Sequence, residues 1–187
     1  MHCVTRAALV LALAAWEEAG AVPGDRIEHG AVVPVDLVGR VRELGLTVVT
    51  QPGFVAERGD EYLADVDADD RPHLWRCGSL LAAGVPVGAG TDAPFGSPDP
   101  WVAVAAAIDR HTATGRVLGV GERVRGPVAL GLFLAPLSAP GGAPRRIAVG
   151  AAADLCVLGV ALADALAAPS RRHVLATVAG GRVTFLA

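Results

Sequence analysis

Three apolar segments of this chain end in a histidine or an aspartate, and this arrangement restricts the fold more than any other feature. The residues are His2, His29 at the end of an apolar run before Gly30, and Asp92 after the run 85–91. A polar side chain at the end of a buried strand, followed by a helix, is how parallel α/β barrels build an active site on one face. The sequence therefore predicts parallel βα units whose strand ends converge.

Short strands and helices alternate between these positions. A helix is predicted over residues 5–19, with a threonine cap at its start and a glycine after its end. A second helix is predicted over residues 34–44, starting at a first-turn proline. Residues 46–50 are few and β-branched, which indicates another buried strand. Strand, helix, strand, helix, strand is the order typical of a parallel sheet.

The next part of the chain is less regular in its pattern. Residues 52–71 are rich in acidic side chains and glycine, and we expect a loop with little structure that lies over the strand ends. Residues 73–83 are predicted to form a helix and residues 85–89 a strand. Asp99 is a helix-cap signal for a helix over residues 101–112.

The pattern changes after Gly115, where the chain becomes rich in loop residues. One helix is predicted over residues 128–134. Residues 154–158 and 177–185 look like strands, and Gly180-Gly181 interrupts the second of them. Two short strands around a glycine pair predict a small β appendage.

Composition excludes several classes of partner. The 16 basic and 19 acidic residues form no basic stripe, so we do not expect binding to nucleic acid. No apolar run reaches the ~18 residues of a membrane span, so no membrane partner is expected. Three cysteines far apart indicate a reducing cytoplasm. A signal peptide at residues 6–15 is the alternative, but the helical pattern continues through residues 16–18, where a cleavage site is expected.

Each of the three polar residues has an ordinary interpretation when it is considered alone. His2 could be a disordered terminal residue, His29 a hydrogen-bonded structural histidine and Asp92 a turn or cap aspartate. One divalent metal site would account for all three, because imidazoles and carboxylates are its usual ligands. Asp92 could then take a proton from a metal-activated water and pass it to a leaving amine.

Two other sequence motifs are followed by residues, or contain residues, that the corresponding binding sites do not allow. Residues 88–93 match the dinucleotide-binding pattern Gly-x-Gly-x-x-Ala, but prolines follow where that pattern must open a helix. Residues 65–70 imitate the start of a calcium loop, but Asp70 stands where glycine is required. We interpret residues 65–70 as a solvated acidic loop.

On these residues the chain resembles a metal-dependent amidohydrolase. The most similar branch is amidohydrolase family 3, which includes deformylases of N-substituted formamides. The resemblance implies that His2, His29 and Asp92 end barrel strands five, six and eight, where the family has metal ligands or contacts to metal-bound water. It also implies a divalent metal, with zinc expected. The matching stretches are residues 2–7, 26–30, 84–94, 150–158 and 177–183.

The resemblance implies an α/β fold made of the C-terminal half of a (β/α)8 TIM-like barrel and part of a small β-sandwich. Residues 1–135 would form barrel strands five to eight with their helices, and residues 136–187 a portion of the sandwich. The family's His-x-His pair of strand one and its strand-four ligand are absent. Thr5-Arg6 stands where the family usually has Gly-Asp. We therefore expect a truncated gene product or one piece of a larger protein.

The expected activity is hydrolysis of amide-type, non-peptide C–N bonds in a small molecule by metal-activated water. His2 and His29 would be metal ligands, and Asp92 both ligand and base. The alternative is a non-catalytic remnant, or a subunit that needs an N-terminal partner or forms a homo-oligomer. The isolated chain is expected to be a poor catalyst, because the strand that should fix His2 is missing. The Asp92 carboxylate and the His29 imidazole should lie on one rim of the sheet, within reach of one ion or a bridging water, and residues 54–71 should overhang that rim.

Overall fold

The computed structural model describes residues 1–187 and contains two separate β-sheets. The first sheet is parallel, and its strands lie side by side in chain order. Its strands are β1 (His2–Cys3), β2 (Arg26–His29), β3 (Thr47–Thr50) and β4 (Val87–Ala89). Because all four strands run in one direction, the residues that follow them lie along the same edge of the sheet.

The second sheet is antiparallel and lies near the C-terminus. It consists of β5 (Leu155–Leu158), β6 (Val174–Ala179) and β7 (Arg182–Leu186), in that order. A turn at Gly180-Gly181 joins β6 to β7, and both glycines have positive φ angles of 54° and 79°. The predicted pair of strands around this glycine pair is confirmed.

Helices connect the strands of the parallel sheet, and no helix of the chain is both long enough and apolar enough to cross a membrane. Three single-turn 3₁₀ segments lie at Arg71–His73, Val120–Glu122 and Arg171–His173. The α-helices are α1 (Arg6–Ala19), α2 (Val35–Glu43), α3 (Gly53–Asp65), α4 (Gly78–Ala82), α5 (Pro100–Asp109), α6 (Gly126–Gly131) and α7 (Leu162–Ala167).

The largest hydrophobic core lies between the parallel sheet and helices α1, α2 and α4. Helix α1 buries Leu9, Leu13 and Trp16, which recur at helical spacing and pack with Ile27 of β2 and Val48 of β3. The Thr5 hydroxyl accepts a hydrogen bond from the backbone N–H of Ala8 at the start of this helix. The helix predicted over residues 5–19 is confirmed, and its packing fixes β1 and β2 against one another.

The loop predicted over residues 52–71 is wrong, because most of it forms helix α3. Phe54 and Val55 are buried in a second core, and Tyr62 packs against it two turns later. Gly59 lies against Thr112 of the chain after α5, where a Cβ atom would collide with the threonine side chain. These contacts support a helix in spite of the acidic and glycine-rich composition.

The single helix predicted over residues 73–83 is also wrong. Leu74 and Trp75 are extended or left-handed, and the N–H of Trp75 donates to Ala31 O at 2.9 Å. Helix α4 begins only at Gly78, where the Glu122 carboxylate accepts hydrogen bonds from the N–H groups of Cys77 and Ser79. The segment with Leu74 and Trp75 pairs with the chain after β2, so the expected helix does not form there.

A buried arginine ties the C-terminal end of α5 to the segment before α4. Arg110 is fully buried and has a left-handed backbone, with a φ angle of 60°. Its guanidinium donates hydrogen bonds to the carbonyl oxygens of Trp75 at 2.7 Å, Leu118 at 2.9 Å and Leu74 at 3.0 Å. One side chain therefore satisfies three buried carbonyl groups from two different segments.

Replacing Arg110 by methionine should lower the free energy of unfolding by about 3–5 kcal/mol, because three buried carbonyls lose their donor. Urea denaturation followed by circular dichroism measures this change. Arg116→Met on the exposed loop after α5 is the matched control, and it should change stability by less than about 0.5 kcal/mol. A loss as small as that control in Arg110→Met would contradict the role given to this side chain.

Candidate functional site

The pairing of β1 with β2 brings His2 and His29 together. In the parallel register His2 lies opposite Glu28 and Cys3 opposite His29. His2 Nδ1 lies 2.9 Å from His29 Nε2, and the two rings are tilted by 52°. Strand β1 has only two residues, but the N–H of Glu28 donates to Met1 O at 2.8 Å and extends the pairing. The expectation that no strand fixes His2 is therefore wrong.

A buried glutamine orients the His29 ring. His29 Nδ1 lies 3.0 Å from Gln51 Oε1, and Gln51 Nε2 donates to Val49 O at 3.2 Å. Because the glutamine amide nitrogen is used by a carbonyl, its oxygen accepts from His29, which places the ring proton on Nδ1. His29 Nε2 then carries a lone pair directed at His2. A carbonyl partner of this kind is the usual support of a metal-binding histidine.

Sequence analysis did not identify Gln51. Its side chain is 4% exposed, and it is the first residue after β3. Gln51 thus lies near the C-terminal end of its strand, as His29 and Asp92 do near theirs, so its placement was a usable signal. The amide itself is not a typical metal ligand, and for that reason the residue carried no functional interpretation.

The chain turns sharply at the end of β2. His29 and Gly30 have consecutive positive φ angles of 73° and 52°. A Cβ atom at Gly30 would lie 2.9 Å from Val48 Cγ1, so only glycine fits between the two strands. A left-handed backbone at a histidine costs about 1–2 kcal/mol. The packing and hydrogen bonds around His29 offset this cost and keep the ring at the edge of the sheet.

Asp92 lies in a tight turn shortly after β4. Its backbone is left-handed, with a φ angle of 55°, and its carbonyl accepts hydrogen bonds from the N–H groups of Phe95 and Gly96. A Cβ atom at Gly96 would collide with Thr91 O and with the Phe54 ring, so the turn packs closely on α3. The Asp92 carboxylate is exposed and forms no hydrogen bond within the chain, which leaves it free for an external partner.

His29 and Asp92 line the same pocket, whose volume is about 390 Å³. The two residues thus lie on one rim of the sheet, and their reach to one ion or a bridging water stays a prediction. Residues 54–71 also reach this pocket, as expected, although they do so from helix α3 and the residue after it. The remaining nine lining residues are hydrophobic: Val4, Ala31, Val32, Phe54, Tyr62, Val66, Leu74, Trp75 and Phe95.

The two imidazoles fit part of a metal coordination shell. Two nitrogens bound to one zinc ion at about 2.0–2.1 Å in tetrahedral geometry are roughly 3.4 Å apart. The 2.9 Å between His2 Nδ1 and His29 Nε2 is close to that separation. No group of three or more histidine, cysteine, aspartate or glutamate side chains is arranged to hold an ion. The structure therefore brings two of the predicted ligands together and places Asp92 in the adjoining pocket.

Comparison with known protein families matches residues 1–185 to the amidohydrolase family. The chain therefore belongs to the amidohydrolase family. Among solved structures, it is similar to an uncharacterized metal-dependent hydrolase from Pyrococcus furiosus, with 32% identity and a TM-score of 0.60 over 71% of this chain and 26% of that one. A metal-dependent hydrolase from Pyrococcus horikoshii OT3, also uncharacterized, matches with 30% identity and a TM-score of 0.62 over 71% of this chain and 27% of that one.

This chain spans about a quarter of the length of those two hydrolases. The ochratoxinase of Aspergillus niger shares the fold, with a TM-score of 0.58 and 22% identity over 97% of this chain and 40% of that one. No curated protein sequence matches the chain. Family membership and the two metal-dependent hydrolases imply a divalent metal without specifying which one.

The single tyrosine of the chain gives a direct test of the pocket's environment. Burial raises the pKa of Tyr62 to about 12, and the positive charge of Arg58 opposes this only in part. We expect the phenolate absorbance of the folded protein to appear with a midpoint near 12, and in concentrated urea near about 10. Because the unfolded chain releases this proton first, stability should fall as pH rises above about 10. A folded midpoint equal to the urea value would contradict the buried position.

Proposed function

We propose that this chain is part of a metal-dependent hydrolase that cleaves amide-type C–N bonds in small, non-peptide molecules. The observation that carries the proposal is the convergence of His2 Nδ1 and His29 Nε2 beside a pocket that also contains Asp92. Membership of the amidohydrolase family supports hydrolysis as the reaction. Within the family, we favour the branch of the N-substituted formamide deformylases.

In this proposal His2 and His29 hold a divalent cation, zinc, and Asp92 completes the set of ligands from this chain. When bound, such an ion polarises a carbonyl group and lowers the pKa of water. Gln51 keeps His29 Nε2 unprotonated by accepting a hydrogen bond from the Nδ1–H group, so Nε2 is ready to bind. His2 Nδ1 must lose its hydrogen bond to His29 before both nitrogens can face the same ion.

Asp92 is also the proposed general base. Its carboxylate is exposed and has no hydrogen bond within the chain, so no internal donor competes for its oxygen atoms. It would accept the proton of the attacking water and pass it to the leaving nitrogen, which departs as a neutral amine. The tight turn at Asp92 limits its movement against the pocket wall, which favours correct positioning during both transfers.

We further propose that residues 1–135 correspond to strands five to eight of a (β/α)8 barrel and residues 136–187 to part of a β-sandwich. The four parallel strands support this assignment, because β1 and β4 each have a neighbour on only one side. Open strand edges favour pairing with further strands.

These open edges also favour a second candidate. The chain could be a half that needs an N-terminal partner or forms a homo-oligomer, or a non-catalytic remnant of the family. Further ligands would then come from the partner, since a hydrolytic zinc site takes about three protein ligands. We place the protein in the cytoplasm, a location supported by three free cysteines with no disulfide between them.

Zinc titration of the purified chain with N-formyl and N-acyl amines tests the hydrolytic proposal. We expect weak amine release that depends on zinc and stops with a chelator. Asp92→Asn should lower it by about 100-fold or more, because the base is lost. The control is Asp36→Asn, an exposed aspartate in the first turn of α2, which should leave the rate unchanged. Equal zinc-dependent rates in the two variants would contradict the role of Asp92.

A further inference from the structure

The pocket beside the candidate site is lined mostly by apolar side chains. Nine of its eleven lining residues are hydrophobic, and the two polar ones are His29 and Asp92. No lysine or arginine lines it. An anionic group of the substrate would lose its hydration there without gaining an opposite charge, and it would face the Asp92 carboxylate. A cationic group would find only that carboxylate, which the proposed function assigns to the metal. The part of a substrate that fills this pocket is therefore uncharged.

Aromatic side chains form one continuous wall of this pocket. The ring centroids of Phe54 and Trp75 are 5.1 Å apart at 71°, and those of Phe54 and Phe95 are 5.6 Å apart at 89°. Tyr62 lies 5.9 Å from Trp75 on the other side. Edge-to-face contacts of this kind are the preferred geometry of aromatic pairs, and a further ring can extend the same pattern.

Burial and a backbone hydrogen bond hold the aromatic wall in place. Phe54 and Trp75 are 3% and 4% exposed, and Arg110 donates a hydrogen bond to Trp75 O at 2.7 Å. The Arg58 guanidinium lies 4.0 Å from the centroid of the Phe95 ring but does not line the pocket. A rigid aromatic wall loses little conformational entropy when a flat group binds to it.

From these observations we infer that the pocket binds an uncharged aryl group of the substrate, next to the bond that Asp92 helps to hydrolyse. The inference rests on the proposed function for the position of that bond. The volume of about 390 Å³ is sufficient, since an apolar cavity of about 150 Å³ already holds benzene. Aryl-substituted amides without a charge on the ring are then the expected class of substrate.

Two probes that contain no amide bond test binding without catalysis. Acetophenone is an uncharged aryl ketone, and 4-acetylbenzoate carries an additional carboxylate on the same ring. The reporter is the indole N–H resonance of Trp75 in NMR spectra of the full chain, because this N–H is buried and has no hydrogen-bond partner. Acetophenone should shift it saturably, with no shift at Trp16 or Trp101. 4-Acetylbenzoate should bind at least ~10-fold more weakly.

A pair of phenylalanine variants locates the binding site independently of this reporter. Phe95 and Phe185 are both largely exposed, at 61% and 49%, so both alanine variants should fold. Phe95→Ala removes part of the aromatic wall and should weaken acetophenone binding about fivefold. Phe185→Ala alters β7 of the second sheet and should leave the affinity unchanged.

Three results would overturn the aryl pocket: equal affinity for the two probes, no shift of the Trp75 resonance with acetophenone, or equal affinities in the two variants. These results do not depend on zinc or on turnover. Loss of amide hydrolysis with intact acetophenone binding would count against the proposed function alone. Zinc-dependent hydrolysis without acetophenone binding would count against the aryl pocket alone.

Discussion

The parallel pairing of β1 with β2 is the contact on which the candidate site depends. It places His2 beside Glu28 and sets the two imidazoles side by side at the edge of the sheet. Helix α1 holds this pairing from behind, because its buried leucines and tryptophan pack on β2 and β3. A one-residue shift in register would reverse the faces of β1 and separate the two rings. The relative position of the two imidazoles therefore depends on the pairing of this two-residue strand.

Backbone strain and hydrogen bonding act together around this contact. His29 and Asp92 both have left-handed backbones; His29 is the last residue of β2, and Asp92 follows β4 of the same sheet. Such conformations persist only where the surrounding structure enforces them, and they are concentrated at functional sites. Here the enforcing contacts are the Gln51 side chain for His29 and the close packing of Gly96 on Phe54 for Asp92. The same packing that positions the turn also closes the aromatic wall of the pocket.

Sequence reasoning found the strands of the parallel sheet but only some of the helices that connect them. Caps and helical spacing identified α1, and the β-branched run identified β3, because local signals suffice there. Helix α3 was missed, since its stability comes from packing on distant residues such as Thr112, which no local pattern reveals. The role of Gln51 depends in the same way on a hydrogen bond across 22 positions in the chain. The ligand roles of His2, His29 and Asp92 stay predictions.

The most direct measurement is a zinc titration followed through the ring nitrogens of the five histidines by NMR. The proposed site predicts that His2 Nδ1 and His29 Nε2 change together, up to one equivalent of zinc, and that His29 Nδ1 keeps its proton. His73, His111 and His173 should not respond, and Asp92→Asn should weaken the binding. Independent responses of His2 and His29, or a response confined to the other three histidines, would contradict a shared metal site at the edge of the parallel sheet.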